Sequence, residues 1–283
     1  MEVIVGKSSG FCFGVKNAID GAKKNLQNTK RLYCLGEIIH NEEVIKDLES
    51  KGLIIVDDIE DVKDCAIIRA HGIPKDIYEI ANLKNIKLLD FTCPFVLNIH
   101  NLVTQYAKDN YFIFLLGVKT HPESIGTLSF CGNNCYLIET LSDVAFAIDF
   151  FKKSGLSDLL IISQTTFSVS LFEDIVNKVK TSVDSNINIK IENTICNTTS
   201  IRQKETEEIA KKVDLMIIIG GKHSSNTKKL FEVSQKYCKN TLLIQTKNDL
   251  NYEYLQGFNK IGIMAGASTP QRLIEDVAFF CKK

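Results

Sequence analysis

The sequence predicts an α/β fold built from three pseudo-threefold-related parallel-sheet units. Three observations lead to the fold. Short β-branched runs alternate with amphipathic helical stretches along all 283 residues, the pattern of parallel strands covered by helices on both faces. Cys12, Cys93 and Cys196 each lie 24 residues ahead of a glycine that ends an apolar run, at Gly36, Gly117 and Gly220. A polar residue then follows each glycine by four: His40, His121 and Ser224. Spacing repeated at this scale marks duplicated structural units.

The elements follow in order from periodicity and breakers. Apolar, β-branched runs of four to six residues bounded by turn residues predict strands at 2–5 (EVIV), 32–35 (LYCL), 53–56 (LIIV), 66–69 (AIIR) and 86–90 (IKLLD). The same criterion gives 111–116 (YFIFLL), 136–139 (YLIE), 159–163 (LLIIS), 187–191 (INIKI), 214–219 (DLMIII), 241–245 (TLLIQ) and 261–264 (IGIM). Helical periodicity fills most gaps, for example 15–26, 42–50, 170–183, 201–212 and 270–280.

A third marked turn follows a later strand in each repeat, at Ala70-His71-Gly72, Gln164-Thr165-Thr166 and Ala267-Ser268-Thr269. Thr165 and Ser268 lie 48 residues after their glycines, whereas His71 lies 35 after Gly36. The missing residues fall where the other repeats carry longer connections. The last helix has no strand after it, so strand 2–5 is expected to complete the third sheet and bring the chain ends together. The resulting units are 13–92, 93–192, and 193–283 with 1–12.

Composition narrows the function. With 34 Lys+Arg against 34 Asp+Glu, the chain lacks the net field that holds proteins on nucleic acid or anionic membrane, and a small-molecule partner is expected. No apolar run approaches the ~20 residues of a membrane span. Nine cysteines without an export signal at the N-terminus point to a reducing, cytoplasmic setting, where thiols pack, ligate or react. Gly257, Gly262 and Gly266 form no dinucleotide fingerprint and no Walker loop occurs, so NAD and ATP are unsupported.

The marked positions lie at strand C-termini and helix starts, the edge where open α/β sheets bind ligands. A cysteine at a helix N-terminus is placed to be a thiolate. Zinc normally takes closely spaced pairs such as Cys-x2-Cys, and none occurs here. An iron-sulfur cluster accepts ligands from distant segments, and three cysteines on a 4Fe-4S cluster leave one iron open. Cys34, Cys65, Cys238 and Cys281 have no matched partners and read as core residues. Cys131 and Cys135 occur in one repeat only and read as structural. His40, His71, His121, Thr165, Ser224, Ser225, Asn226 and Ser268 make a donor set suited to a diphosphate or polycarboxylate. Glu123 is a carboxylate beside His121, positioned either as a helix-start residue or as a proton donor.

GFCFGVKNAI at Cys12, GEIIHN at His40, AHG at His71, DFTCPFV at Cys93, HPE at 121–123, QTT at 164–166, SSN at 224–226 and AGAS at 265–268 together resemble the 4-hydroxy-3-methylbut-2-enyl diphosphate reductase family. The resemblance spans the chain in order. It implies one 4Fe-4S cluster on Cys12, Cys93 and Cys196 and a reductive dehydroxylation yielding isopentenyl and dimethylallyl diphosphates plus water. It places His40, His71, His121, Thr165, Ser224, Ser225, Asn226 and Ser268 in the substrate pocket. Glu123, relayed through Thr165, becomes the proton donor. Electrons would come from a ferredoxin or flavodoxin. Phe13 and His223 depart from the usual pattern; Phe13 is expected to narrow the space beside Cys12, and His223 to add a diphosphate donor. The alternative is another three-cysteine cluster enzyme of the quinolinate synthase type, against which the motifs count.

Overall fold

The computed structural model describes residues 1–282. The chain opens with β1 (Glu2–Val5), and the first repeat then runs α1 (Phe13–Leu26), β2 (Leu32–Leu35), α2 (Glu42–Glu49), β3 (Leu53–Val56), β4 (Cys65–Ile68), α3 (Lys75–Leu83) and β5 (Lys87–Asp90). The second runs α4 (Pro94–Lys108), β6 (Phe112–Leu116), α5 (Pro122–Phe130), β7 (Cys135–Ile138), α6 (Asp143–Ser154), β8 (Asp158–Ser163), α7 (Val169–Ser182) and β9 (Asn188–Glu192). The third runs α8 (Asn197–Ala210), β10 (Leu215–Ile219), α9 (Ser225–Tyr237), β11 (Thr241–Ile244), α10 (Tyr252–Leu255), β12 (Lys260–Ala265) and α11 (Gln271–Cys281).

The described strands form three four-stranded sheets, ordered β3-β2-β4-β5, β7-β6-β8-β9 and β11-β10-β12-β1. The order is the same in all three. Strand β1 runs parallel to β12, with Val3 opposite Ile261, so it holds in its sheet the place that β5 and β9 hold in theirs. Each of these fourth strands leads to a marked cysteine. The strands beside them also pair in parallel, as Ile217 with Ile263 and Leu115 with Ile162. Strands β6 and β10 are buried along their whole length, which is why they read as unbroken apolar runs rather than alternating ones.

Strand boundaries fall within one residue of the sequence prediction throughout. The largest difference is α8, which begins at Asn197 rather than 201. Its buried residues include Thr199, Arg202, Gln203 and Thr206. A helix that buries polar side chains gives no apolar periodicity to detect, and one of them, Arg202, bonds the backbone just ahead of Cys12.

Contacts group the chain into two compact units. One comprises Leu32–Gly36 and Ile54–Cys196 and contains the first two sheets. Phe112, Phe114 and Phe151 pack edge-to-face in its core, with ring centroids 5.6 to 6.2 Å apart. The other comprises Met1–Arg31, Glu37–Leu53 and the chain from Asn197. It packs α11 through Ile274 and Val277 on Ile217 and Ile263 of the third sheet. The repeat boundaries 13–92, 93–192 and 193–283 with 1–12 cut across this grouping, and we retain them as a proposal for the duplicated units; Lys283 lies outside the described residues. No helix among the described residues is long and apolar enough to cross a membrane.

Candidate active site

Each marked cysteine stands where a strand gives way to a helix: Cys12 and Cys93 are the N-caps of α1 and α4, and Cys196 directly precedes α8. All three are partly exposed and none is in a disulfide. The first turn of a helix has N–H groups without intrahelical acceptors, an environment that favours an anionic sulfur. One backbone hydrogen bond recurs in every repeat. Cys93 N–H donates to Ala70 O (3.0 Å), Cys196 N–H to Thr165 O (2.9 Å) and Cys12 N–H to Ala267 O (3.2 Å). Each cysteine is thereby fixed to the polar turn of its own sheet.

In the unit holding the first two sheets, Glu123 is 1% exposed, the second residue of α5 after Pro122. Its Oε1 accepts from Thr165 N–H at 2.6 Å and its Oε2 faces Thr165 Oγ1 at 2.7 Å. Burial pushes the Glu123 carboxyl up to about 7, although the Thr165 N–H and hydroxyl both act to lower it. The acid is therefore poised near neutrality with its oxygen on a hydroxyl. His121 caps α5, its Nδ1 accepting from Glu123 N–H at 3.1 Å. That bond assigns the ring proton to Nε2 and leaves Nε2–H as a donor. The His71 ring meets that of His121 edge-on, centroids 5.2 Å apart. Gly72 has φ +75, and a Cβ there would come within 3.0 Å of His100 Cε1, so the AHG turn needs glycine to lie against that ring. His100 is stacked on Phe130, and burial, partly offset by Asp90, lowers its pKa to about 4. It is a neutral wall.

Glu123 also gives a testable pH dependence. Its folded pKa is raised, so between about 4.5 and about 7 the native carboxyl keeps a proton that the unfolded one has lost. Stability should fall as pH rises through that window, by up to about 3 kcal/mol. Thermal unfolding at pH 5 and pH 8 should show this drop in the wild type, and a much smaller one in Glu123→Gln.

The other unit carries Cys12, His40, Ser224, Ser225, Asn226 and Ser268. Ser224 caps α9 by accepting from Thr227 N–H. In the first repeat Asn41, rather than His40, caps α2. The His40 ring is therefore released from capping, and its Nδ1 lies 3.0 Å from Glu37 Oε2. Ser268 Oγ donates to His40 O at 3.1 Å. A Cβ on Gly221 would lie 2.3 Å from His40 O, so only glycine lets the turn before α9 approach this backbone. Asn226 is 3% exposed, yet neither Nδ2 nor Oδ1 finds a hydrogen-bond partner among the described residues. Leaving a buried polar group unmet costs about 1 to 3 kcal/mol. An amide kept in that state is a ready site for a polar ligand.

Several residues that serve these sites escaped the sequence reading. Gln164 binds both sides of the Glu123–Thr165 contact: its Oε1 accepts from Val118 N–H (3.0 Å) and Ser124 Oγ (3.2 Å), and its Nε2 donates to Thr166 Oγ1 (2.8 Å). Glu37 orients His40, and Arg202 and Glu205 bind the loop ahead of Cys12. Only the place of Gln164 in the QTT turn offered a signal. Phe13 is 68% exposed, so most of its ring lies in solvent rather than narrowing a space beside Cys12. His223 is exposed, one residue ahead of the capping Ser224.

None of the remaining six cysteines stands at a helix start. Burial pushes Cys34 up to about 12, with Arg69 acting against it, and Cys281 up to about 11. Burial likewise raises Cys65 and Cys238. Cys135 is raised well above the ordinary range by the neighbouring Cys131 thiol and by burial. These are packing thiols. The marked residues instead fit a cluster and a diphosphate, combining partly exposed thiols with imidazole, hydroxyl and amide donors.

Together these features define a class: an α/β protein of three repeated parallel-sheet units, each offering a cysteine at a helix start and polar turns at its sheet edge. The chain belongs to the LytB protein family, whose model matches residues 3–281. A 4-hydroxy-3-methylbut-2-enyl diphosphate reductase of Caldanaerobacter subterraneus is 43% identical over 283 residues, covering 98% of this chain and 95% of that one. One from Clostridioides difficile is 40% identical over 284 residues, covering 99% of both. The solved E-1-hydroxy-2-methyl-but-2-enyl-4-diphosphate reductase of Plasmodium falciparum superposes with a TM-score of 0.88 at 35% identity, over 97% of this chain and 86% of the other. These matches do not favour the quinolinate synthase alternative.

Proposed function

We propose that this chain reduces 4-hydroxy-3-methylbut-2-enyl diphosphate to isopentenyl and dimethylallyl diphosphates, the final step of the methylerythritol phosphate route. Its cofactor is one 4Fe-4S cluster with Cys12, Cys93 and Cys196 as its three protein ligands. Support comes from the family, from the recurring cysteine-to-turn hydrogen bond, and above all from the Glu123–Thr165 pair. That pair is a buried acid titrating near neutrality, two heavy-atom contacts of less than 2.8 Å from a hydroxyl and an N–H whose own turn holds Cys196. When bound, the cluster supplies electrons and an iron position without a cysteine, able to polarise the C–O bond that breaks.

The protein's part is binding and proton delivery. His40, His71, His121, Ser224, Ser225, Asn226 and Ser268 donate to the diphosphate and, with Thr165, form the pocket. His121 gives its Nε2–H, and Asn226 gains the partner it lacks. Glu123 holds a proton at Oε2 against Thr165 Oγ1, and Thr165 passes a proton to the departing hydroxyl so that it leaves as water. Two electrons and two protons are consumed, one proton leaving in the water and one ending on the allylic carbon skeleton. The electrons arrive singly from a ferredoxin or flavodoxin. A reducing compartment, the cytoplasm, keeps the thiols competent. Anaerobic purification, iron and sulfide analysis and turnover with a one-electron reductant test the assignment. A colourless, iron-free protein that stays inactive after reconstitution would refute it.

The binding residues give a separate prediction. Charge-assisted hydrogen bonds contribute roughly 1.5 to 3 kcal/mol each, so His40→Ala or His121→Ala should weaken diphosphate binding about ten- to a hundredfold. Calorimetric titration with the cluster-loaded protein checks this. Unchanged affinity with a lost cluster would mean that the histidines serve the metal.

A further inference from the structure

The segment between β1 and Cys12 has no strand or helix of its own, so its backbone polar groups must be met by other means. Side chains of α8 meet many of them. Glu205 Oε1 accepts from Lys7 N–H at 2.7 Å, and Oε2 accepts from Ser8 N–H at 2.9 Å and from the Ser8 hydroxyl. Arg202, 2% exposed, donates through Nε to Ser8 O at 2.6 Å and through Nη2 to Gly10 O. Its own carbonyl accepts from Thr206 Oγ1. On the other side, Ser9 Oγ accepts from Ala265 N–H at 3.0 Å. Gly10 then turns the chain at φ +99, two residues before Cys12.

We infer that Arg202 and Glu205 are positioning residues for Cys12, a clamp that pre-places this thiol for the cluster before any metal arrives. This inference rests on the assignment of Cys12 as a ligand. The clamp is built from opposite charges on complementary targets: a guanidinium on two carbonyls and a carboxylate on two amides and a hydroxyl. Such bonds are shorter and stronger than neutral ones, and they fix a loop that has no ladder to hold it. The residues stand one helical turn apart on α8, the helix that starts on the residue after Cys196. A bland role exists for the same bonds, namely general support of the third sheet, and the two roles predict different selectivity.

The test uses Glu205→Ala, Glu205→Gln and Arg202→Lys in the full chain. In protein freed of iron under argon, iodoacetamide labelling is followed at each marked cysteine by peptide mass spectrometry. Glu205→Ala should raise the labelling rate of Cys12 about tenfold, the factor set by about 1.4 kcal/mol of loop release. Cys93 and Cys196 should stay within about twofold. Glu205→Gln keeps an acceptor and should fall between Glu205→Ala and wild type. Arg202→Lys keeps the charge but cannot reach both carbonyls with a fork, so it should mimic Glu205→Ala; it decides the matter if Glu205→Ala does not fold. In the loaded protein, iron release to a ferrous chelator should quicken in parallel. Equal acceleration at all three cysteines, or none at Cys12, overturns the clamp. A wild type that never takes up iron would instead refute the cluster assignment, while the metal-free labelling still judges the clamp.

Discussion

Single Cys→Ser changes at 12, 93 and 196 are each expected to abolish turnover, with the reconstituted protein holding little or no intact cluster. Serine keeps the size and the helix-start position of the side chain but replaces a soft thiolate with a hydroxyl that stays protonated at neutral pH. The three positions share one construction: a strand end, a helix start and a backbone hydrogen bond to a polar turn. None is therefore expected to be replaceable by the others. Cys131→Ser and Cys135→Ser should keep cluster and activity, since these thiols pack among Ile113, Leu137 and Leu160. Iron and sulfide content together with turnover, measured after identical anaerobic reconstitution, check the whole set. An essential Cys131 beside a dispensable Cys12 would break the threefold reading.

Glu123→Gln is expected to bind the diphosphate normally, keep its cluster, and turn over at least about a hundredfold more slowly, the scale on which general acids act. Glutamine preserves the acceptor for Thr165 N–H but has no proton to release toward Thr165 Oγ1. Had Glu123 served only to complement the α5 dipole, its loss would cost about 0.3 to 1 kcal/mol of stability and leave turnover intact. The pH profile sharpens the contrast. With the carboxyl raised to about 7 by burial, the protonated, competent fraction declines as pH rises through that value. Wild-type turnover should therefore fall on the alkaline side with an apparent pKa near 7, and Glu123→Gln should lack that limb. Steady-state rates from pH 6 to 9 with a chemical one-electron donor provide the measurement. Near-normal turnover in Glu123→Gln would transfer the acid role, with the substrate's own diphosphate the first candidate.

The sequence by itself determined the strand positions, the three-sheet repeat and the placement of the marked residues at sheet edges. These rest on local periodicity and fixed spacing, which survive without knowledge of distant contacts. Unbroken apolar runs such as 215–219 announce buried parallel strands, and 24-residue intervals announce repeated units. Tertiary structure decided the energetics and the supporting cast. Glu123 in HPE carries no sign in the sequence that its carboxyl is enclosed; burial in the tertiary structure raises its proton affinity, and the approach of Thr165, 42 residues on, tempers that rise and gives it a relay. The start of α8 is hidden because its buried face is polar, and nothing in the sequence marks Arg202 and Glu205. They bond a loop some two hundred residues earlier in the chain, and the chemistry of such long-range polar contacts leaves no periodic trace, because each is satisfied by one partner rather than by a face.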